Sequence, residues 1–120
     1  MRRAPLLAAL LFVACATNSV VSDRLFCGLS IPAGGEISQP ELDAFIDEVV
    51  SPRFPQGFTV WRAKGQWKGG NEDVMILEFV RANDPKLDLA VEQIAAEYRK
   101  RFHQEAVLRV TVPAHMELEQ

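Results

Sequence analysis

Glu78 stands in the run Val74-Met75-Ile76-Leu77-Glu78-Phe79-Val80, which is otherwise wholly apolar. A carboxylate in such a strand either faces an open side of a sheet or is buried with a partner, because an unpaired charge in an apolar setting is costly. Two guanidinium groups are candidate partners: Arg62, within Trp61-Arg62-Ala63-Lys64-Gly65-Gln66-Trp67, and Arg109, within the alternating run 107–112. If Glu78, Arg62 and Arg109 meet on one open face, they form a polar centre able to orient an anionic or carbonyl-bearing ligand. Trp61 and Trp67 would then supply apolar walls. The same tryptophans serve equally to cover a sheet face or to join two copies, since Trp and Arg are favoured interface anchors. Glu72, beside an expected hairpin tip, is a weaker acid candidate.

Other reactive patterns are sparse. His103 and His115 lie in unrelated local settings, and no C-x-x-C, H-x-H or H-E-x-x-H spacing marks a metal centre, so no metal or cofactor is expected. No G-x-S-x-G elbow or glycine-rich phosphate loop occurs, and no catalytic residue is assigned. In His103-Gln104-Glu105, the plain reading pairs Glu105 with Arg109 and makes His103 a cation at a helix end. Cys27 sits in an apolar strand-like run and reads as a buried, inert thiol.

These residues need elements to position them. A first strand is expected over 25–31, closed by Pro32-Ala33-Gly34-Gly35. Ser38-Gln39-Pro40-Glu41 then reads as a capping box. Leu42, Phe45, Ile46, Val49 and Val50 follow at helical spacing, and Pro52 and Pro55 stop the helix, with Phe54 turned into the core and Arg53 solvated. A second strand opens at Phe58 and continues to Trp67 past a bulge or bend at Gly65. Lys68-Gly69-Gly70-Asn71 is a hairpin signal, and 74–80 reads as a central strand. Asp84-Pro85 opens a second helix whose stripe is Leu87, Val91, Ile94, Ala95, Tyr98 and Phe102. Its acidic start and basic end, Arg99-Lys100-Arg101, complement the helix dipole. The last strand, 107–112, ends at Pro113.

The order βαββαβ predicts an α+β, ferredoxin-like two-layer sandwich with one open sheet face, because right-handed crossovers place both helices on the same side. The domain is expected over 25–113, with a flexible tail at 114–120. Residues 1–15 read as an export signal: Arg2 and Arg3 precede a short apolar stretch, and Phe12-Val13-Ala14-Cys15 resembles a lipobox. Lipidation of Cys15 would tether the protein to the periplasmic face of a bacterial membrane through a polar stretch at 16–24. Ala14-Cys15-Ala16 also fits ordinary signal cleavage, which would release a soluble protein, and an uncleaved anchor is the third reading. Thirteen Lys and Arg, less Arg2 and Arg3, against sixteen Asp and Glu leave a net charge of −5. Such a surface argues against nucleic acid as a partner.

Four separated blocks carry a family resemblance. They are Leu25-Phe26-Cys27-Gly28-Leu29-Ser30, Val50-Ser51-Pro52-Arg53-Phe54-Pro55-Gln56-Gly57-Phe58-Thr59-Val60, Gly65-Gln66-Trp67 and Tyr98-Arg99-Lys100-Arg101-Phe102-His103-Gln104-Glu105-Ala106-Val107-Leu108-Arg109. The chain resembles a bacterial family catalogued as domain of unknown function 3574, whose members are small exported or lipoprotein-like proteins. The resemblance implies no activity and no site residues. Two functional expectations therefore stand. One is a non-enzymatic, membrane-tethered binding or assembly module that forms a homodimer through its open face, with Trp61 and Trp67 as anchors. The other is a ligand-binding or enzymatic domain that encloses a pocket between two such faces, lined by Trp61, Arg62, Trp67, Glu78 and Arg109.

Overall fold

A computed structural model of the chain describes residues 19–120. The expectations placed on 1–18, namely the export signal and the lipidation of Cys15, lie outside the described residues. Strand β1 spans Val20–Gly28, helix α1 Gln39–Phe45, β2 Thr59–Trp67, β3 Gly70–Ala82, helix α2 Pro85–Arg101 and β4 Leu108–Ala114. All pairings are antiparallel, in the sheet order β2-β3-β1-β4. Both helices cover one face, so this is the α+β ferredoxin-like sandwich with an open side.

Local chemistry accounts for most boundaries. Ser38 Oγ accepts from the Glu41 N–H at 3.3 Å while the Glu41 carboxylate accepts from the Ser38 N–H at 3.3 Å, closing the capping box of α1. The helix widens into a π-helical turn over Ile46–Val50, where the Ser51 N–H donates to Ile46 C=O at 2.9 Å. Lys68 and Gly69 both take positive φ, +50° and +82°, as a two-residue hairpin between right-twisted strands requires. Helix α2 begins on Asp84, whose carboxylate accepts from the Lys86 N–H at 2.7 Å. It ends with His103 at φ +55° and the Gln104 N–H donating to Arg99 C=O at 3.0 Å, a Schellman closure. Leu25, Cys27, Leu29, Leu77, Phe79, Phe45, Val91, Ile94 and Tyr98 are fully buried between the layers.

Several sequence expectations need correction. The first strand starts at Val20, so the polar stretch expected to tether the domain is partly inside it, and Ser22 and Asp23 are buried. Their partners sit on neighbouring strands, where local sequence gives no sign of them. Strand β3 runs well beyond 74–80 at both ends. No bulge occurs at Gly65: the register continues through Gly65↔Glu72 to Trp67↔Gly70. Pro113 lies within β4, which is tolerated because β4 is an edge strand and Pro lacks only a donor there. Phe54 is in the core as expected, whereas Arg53 is half-buried, donating to Val49 C=O at 2.9 Å and to Gln93 at 3.2 Å.

One polar cluster lies under the helices. Asp23 is fully buried on β1 and accepts hydrogen bonds from Arg81 on β3 and from Arg109 and Thr111 on β4. Arg109 also donates to Asp88 on α2 at 2.6 Å, so the cluster ties three strands to a helix. Burial alone would raise the Asp23 pKa, but the hydrogen bonds from Arg81, Thr111 and Arg109 outweigh it and hold the carboxyl below its ordinary range. Burial would likewise lower the pKa of Arg109, and hydrogen bonds to Asp88 and Asp23 outweigh it and raise that value. A carboxyl depressed on folding contributes stability above its unfolded pKa and loses it as pH falls through the folded value. Unfolding free energy should therefore hold from neutrality down to mildly acidic pH, then drop in strong acid. Asp23→Asn should flatten that drop and cost about 3–5 kcal/mol, since it strands the buried Arg81. Urea denaturation across a pH series measures both, and an unchanged acid limb in Asp23→Asn would remove Asp23 from this role.

Candidate functional site on the open sheet face

Strand alternation sorts the predicted site residues into two groups. Register places Arg62 opposite Met75 and Arg109 opposite Leu25, both on the helix-covered face. Glu78 lies on the other face. The expected centre of Glu78, Arg62 and Arg109 therefore does not form. Arg62 sits 3.5 Å from Glu36 and donates to Gln39 at 3.3 Å, beside the start of α1. Arg109 belongs to the Asp23 cluster, and Glu105 pairs with Lys68 at 2.7 Å, not with Arg109. Glu78 is satisfied on the open face, accepting from Ser22 Oγ at 3.0 Å and Arg24 Nε at 3.2 Å. The Arg24 guanidinium lies 5.5 Å from the Trp61 ring centroid, so this tryptophan is already packed.

Trp67 differs: it is half exposed, on the same face, at the β2–β3 hairpin. Beside it is a concavity of about 260 Å³. Its floor is made of residues with little or no side chain, Gly28 on β1 and Ala63 and Gly65 on β2, all on the open face. Phe26, Trp67, Val74, Ile76 and Leu108 form its apolar walls, and Gln104, Glu105 and Ala106 close it from the α2–β4 connection. The Lys68–Glu105 ion pair joins the hairpin at one sheet edge to the connection entering the other edge. Hydrogen bonding to Lys68, then its charge, holds the Glu105 carboxyl below its ordinary range.

Glu72 projects into this hollow from β3 and is half-buried. A Cβ on Gly28 would fall 2.7 Å from a Glu72 carboxylate oxygen, so the acid lies directly over the bare glycine backbone. Behind that backbone, the Tyr98 hydroxyl donates to Gly28 C=O at 2.6 Å. Burial, with smaller effects from Cys27 and Glu72, pushes the Tyr98 pKa up, which keeps it a neutral donor. Burial also pushes the Cys27 thiol up, consistent with an inert core residue. A second concavity, about 430 Å³ beside Phe54, Val80, Leu87 and Met116, is larger but has its arginines engaged: Arg53 with Val49 and Gln93, Arg81 with Asp23. The chemistry favours the Glu72 hollow. Among the described residues no group of three metal-ligating side chains converges, and no helix is long and apolar enough to cross a membrane.

Sequence reasoning placed Trp67 on this face but ranked Glu72 below Glu78. The available signal was parity: Glu72 shares the face of Glu78, six residues away, and register sets it against glycine on β2.

Residues 22–118 match the family described as "Protein of unknown function (DUF3574)". The chain belongs to that family. No curated protein matches it. Among solved structures it is similar to a phage SAM lyase in complex with S-methyl-5′-thioadenosine, at 17% identity and a TM-score of 0.60, covering 78% of this chain and 81% of that one. The same enzyme in its apo state gives 15% identity and a TM-score of 0.57, covering 79% and 81%. At such identities the likeness is one of fold.

Gly28→Ala tests how the hollow is built. The added methyl meets the mobile end of Glu72 rather than backbone, so unfolding free energy should stay within about 1 kcal/mol of the parent. The Glu72 carboxyl should be displaced, which its ¹³C chemical shift reports. An unmoved carboxyl signal would show that it does not rest on Gly28.

Proposed function

We propose that this chain is an exported binding module that takes a small ligand in the Glu72 hollow, while a second copy covers the rest of its open face. The observation that carries the reading is a concavity with an aromatic and aliphatic lining around one half-buried carboxylate, on the sheet face that no helix covers. Binding sites combine mostly apolar walls with few polar groups, and the hollow has that composition. Its volume suits a compact ligand.

Self-association is supported by the apolar surface beyond the hollow. Val80, Val110 and Val112 are each 39–47% exposed on the same face, with Leu108 at 55%. Leu108, Val110 and Val112 follow one another along β4, and Val80 lies across β1 from Val112 with Ser22 between them; exposed apolar surface of this kind marks association surfaces. Trp61 is held by Arg24 and Trp67 belongs to the hollow, so the valine stripe is the stronger dimer anchor. The export signal and the lipid at Cys15 give this module its place at a membrane, as part of the same proposal. An enzymatic role is the second reading. The fold of the phage SAM lyase supports it, and S-methyl-5′-thioadenosine is accordingly included among the probes.

Native mass spectrometry of the purified full chain tests the reading. The expected result is a dimer that becomes monomeric in Val110→Asp, with bound small-molecule mass or uptake of an added probe that Trp67→Ala abolishes. A monomer in the parent at every concentration would overturn the association. Probe uptake undiminished by Trp67→Ala would overturn the site.

A further inference from the structure

The Glu72 hollow has a charge preference built into it, and this rests on the reading of that hollow as a binding site. We propose that it selects an organic cation: a compact apolar body carrying a protonated nitrogen, with Glu72 as its counter-ion.

The carboxylate is half-buried among apolar walls, and among the described residues it has no hydrogen-bond or ion-pair partner. Its neighbours are otherwise engaged. Lys68 is bound to Glu105 at 2.7 Å and lies 6.0 Å from the Trp67 ring centroid, and Lys64, which borders the hollow, is set opposite Asp73 by alternation on the helix-covered face. Gln104 donates its side-chain amide to Ser30 C=O at 2.9 Å and to Phe102 C=O at 3.1 Å. An anion entering the hollow would meet Glu72, with Lys68 already neutralised by Glu105. A protonated nitrogen would meet an unpartnered carboxylate together with the ring of Phe26, whose face attracts positive charge. Glu78 has Ser22 and Arg24, Asp23 has its two arginines, and Glu72 has none of these.

The cradle points the same way. Gly28 and Gly65 flank Glu72 on the open face: a side chain on Gly28 would fill the space at the carboxylate, and one on Gly65 would crowd the Glu72 carbonyl oxygen and Val74. Two glycines inside paired strands cost stability. Here Gly28 leaves room for the carboxylate and Gly65 keeps the adjoining floor open, whereas a purely structural Glu would be better served by a covering side chain.

The test uses three near-isosteric probes, phenethylammonium, 2-phenylethanol and 3-phenylpropionate, titrated into the full chain and followed through backbone amide shifts around Trp67. The cation should bind at least about tenfold more tightly than the alcohol, as a hydrogen bond to a charged group warrants, and the carboxylate should bind most weakly. Glu72→Gln should abolish the preference, while Glu92→Gln on the exposed side of α2 should leave it intact. Equal binding of cation and alcohol, or a preference that survives in Glu72→Gln, would overturn the charge selection and leave the hollow standing as a site. If none of the three probes perturbs the Trp67 region, the binding site and its selectivity both fall.

Discussion

Both crossover helices of a βαββαβ chain pack on the same side of the sheet, because each crossover is right-handed. That constraint decides everything on the other side. The helix-covered face can bury an apolar core, and it does, from Leu25 and Cys27 to Leu77 and Phe79, with the Asp23 cluster at one end. The open face must carry something that water or a partner will accept. This chain divides it into three zones: the Glu78 cluster with Ser22, Arg24 and Trp61; the exposed apolar stripe of β4, with Val80 across β1; and the hollow around Glu72. The first is a satisfied polar patch, and the other two are unfinished surfaces. They define where function is to be sought.

The ion cluster under the helices plays the complementary part. Asp23 would be a liability alone in the core, since desolvation opposes its charge. With Arg81, Arg109 and Thr111 around it, the carboxylate fixes β1 against both neighbouring strands, and Asp88 extends the tie to α2. Sliding β1 by one residue would carry Asp23 to the open face and leave Arg81 unpartnered, so the cluster specifies register as well as contributing stability. Register in turn decides which side chains share the open face, and thus places Gly28 under Glu72.

How much of this was legible in the chain follows from the range of each signal. Capping by Ser38 and Asp84, the hairpin at Lys68-Gly69 and the apolar stripe of α2 depend on residues a few positions apart, and all are present. The boundary at Val20 was missed because Ser22 and Asp23 look like a polar tether until their partners, 56 and 58 residues away, are known. Arg62 and Arg109 were grouped with Glu78 by charge. Alternation within their own strands shows that each faces opposite to its tryptophan or leucine neighbour, and pairing across the sheet then puts both on the helix side. The fold was therefore readable from local pattern, whereas the site required register.

The glycines give that distinction its sharpest form. Along β2, Gly65 reads in the sequence as a strand irregularity, because glycine weakens a strand and often accompanies a bulge, and Gly28 on β1 carries no sign of a special role. In the folded sheet Gly65 sits in an unbroken ladder and Gly28 closes the last pair of β1 with β3, so no bulge accounts for either. What they share is the side of the sheet they face and the residue they approach: an added Cβ on Gly28 would strike the Glu72 carboxylate, and one on Gly65 would lie 3.3 Å from the Glu72 carbonyl oxygen. A fold indifferent to this region would gain stability by filling both positions with β-branched residues, which suit paired strands. The surrounding large residues, Phe26, Trp67 and Leu108, show that bulk is accepted on this face wherever it does not cover the acid. Gly28 against the Glu72 carboxylate, Gly65 beside its backbone and large residues around them are what a binding hollow requires and what strand stability alone would not produce.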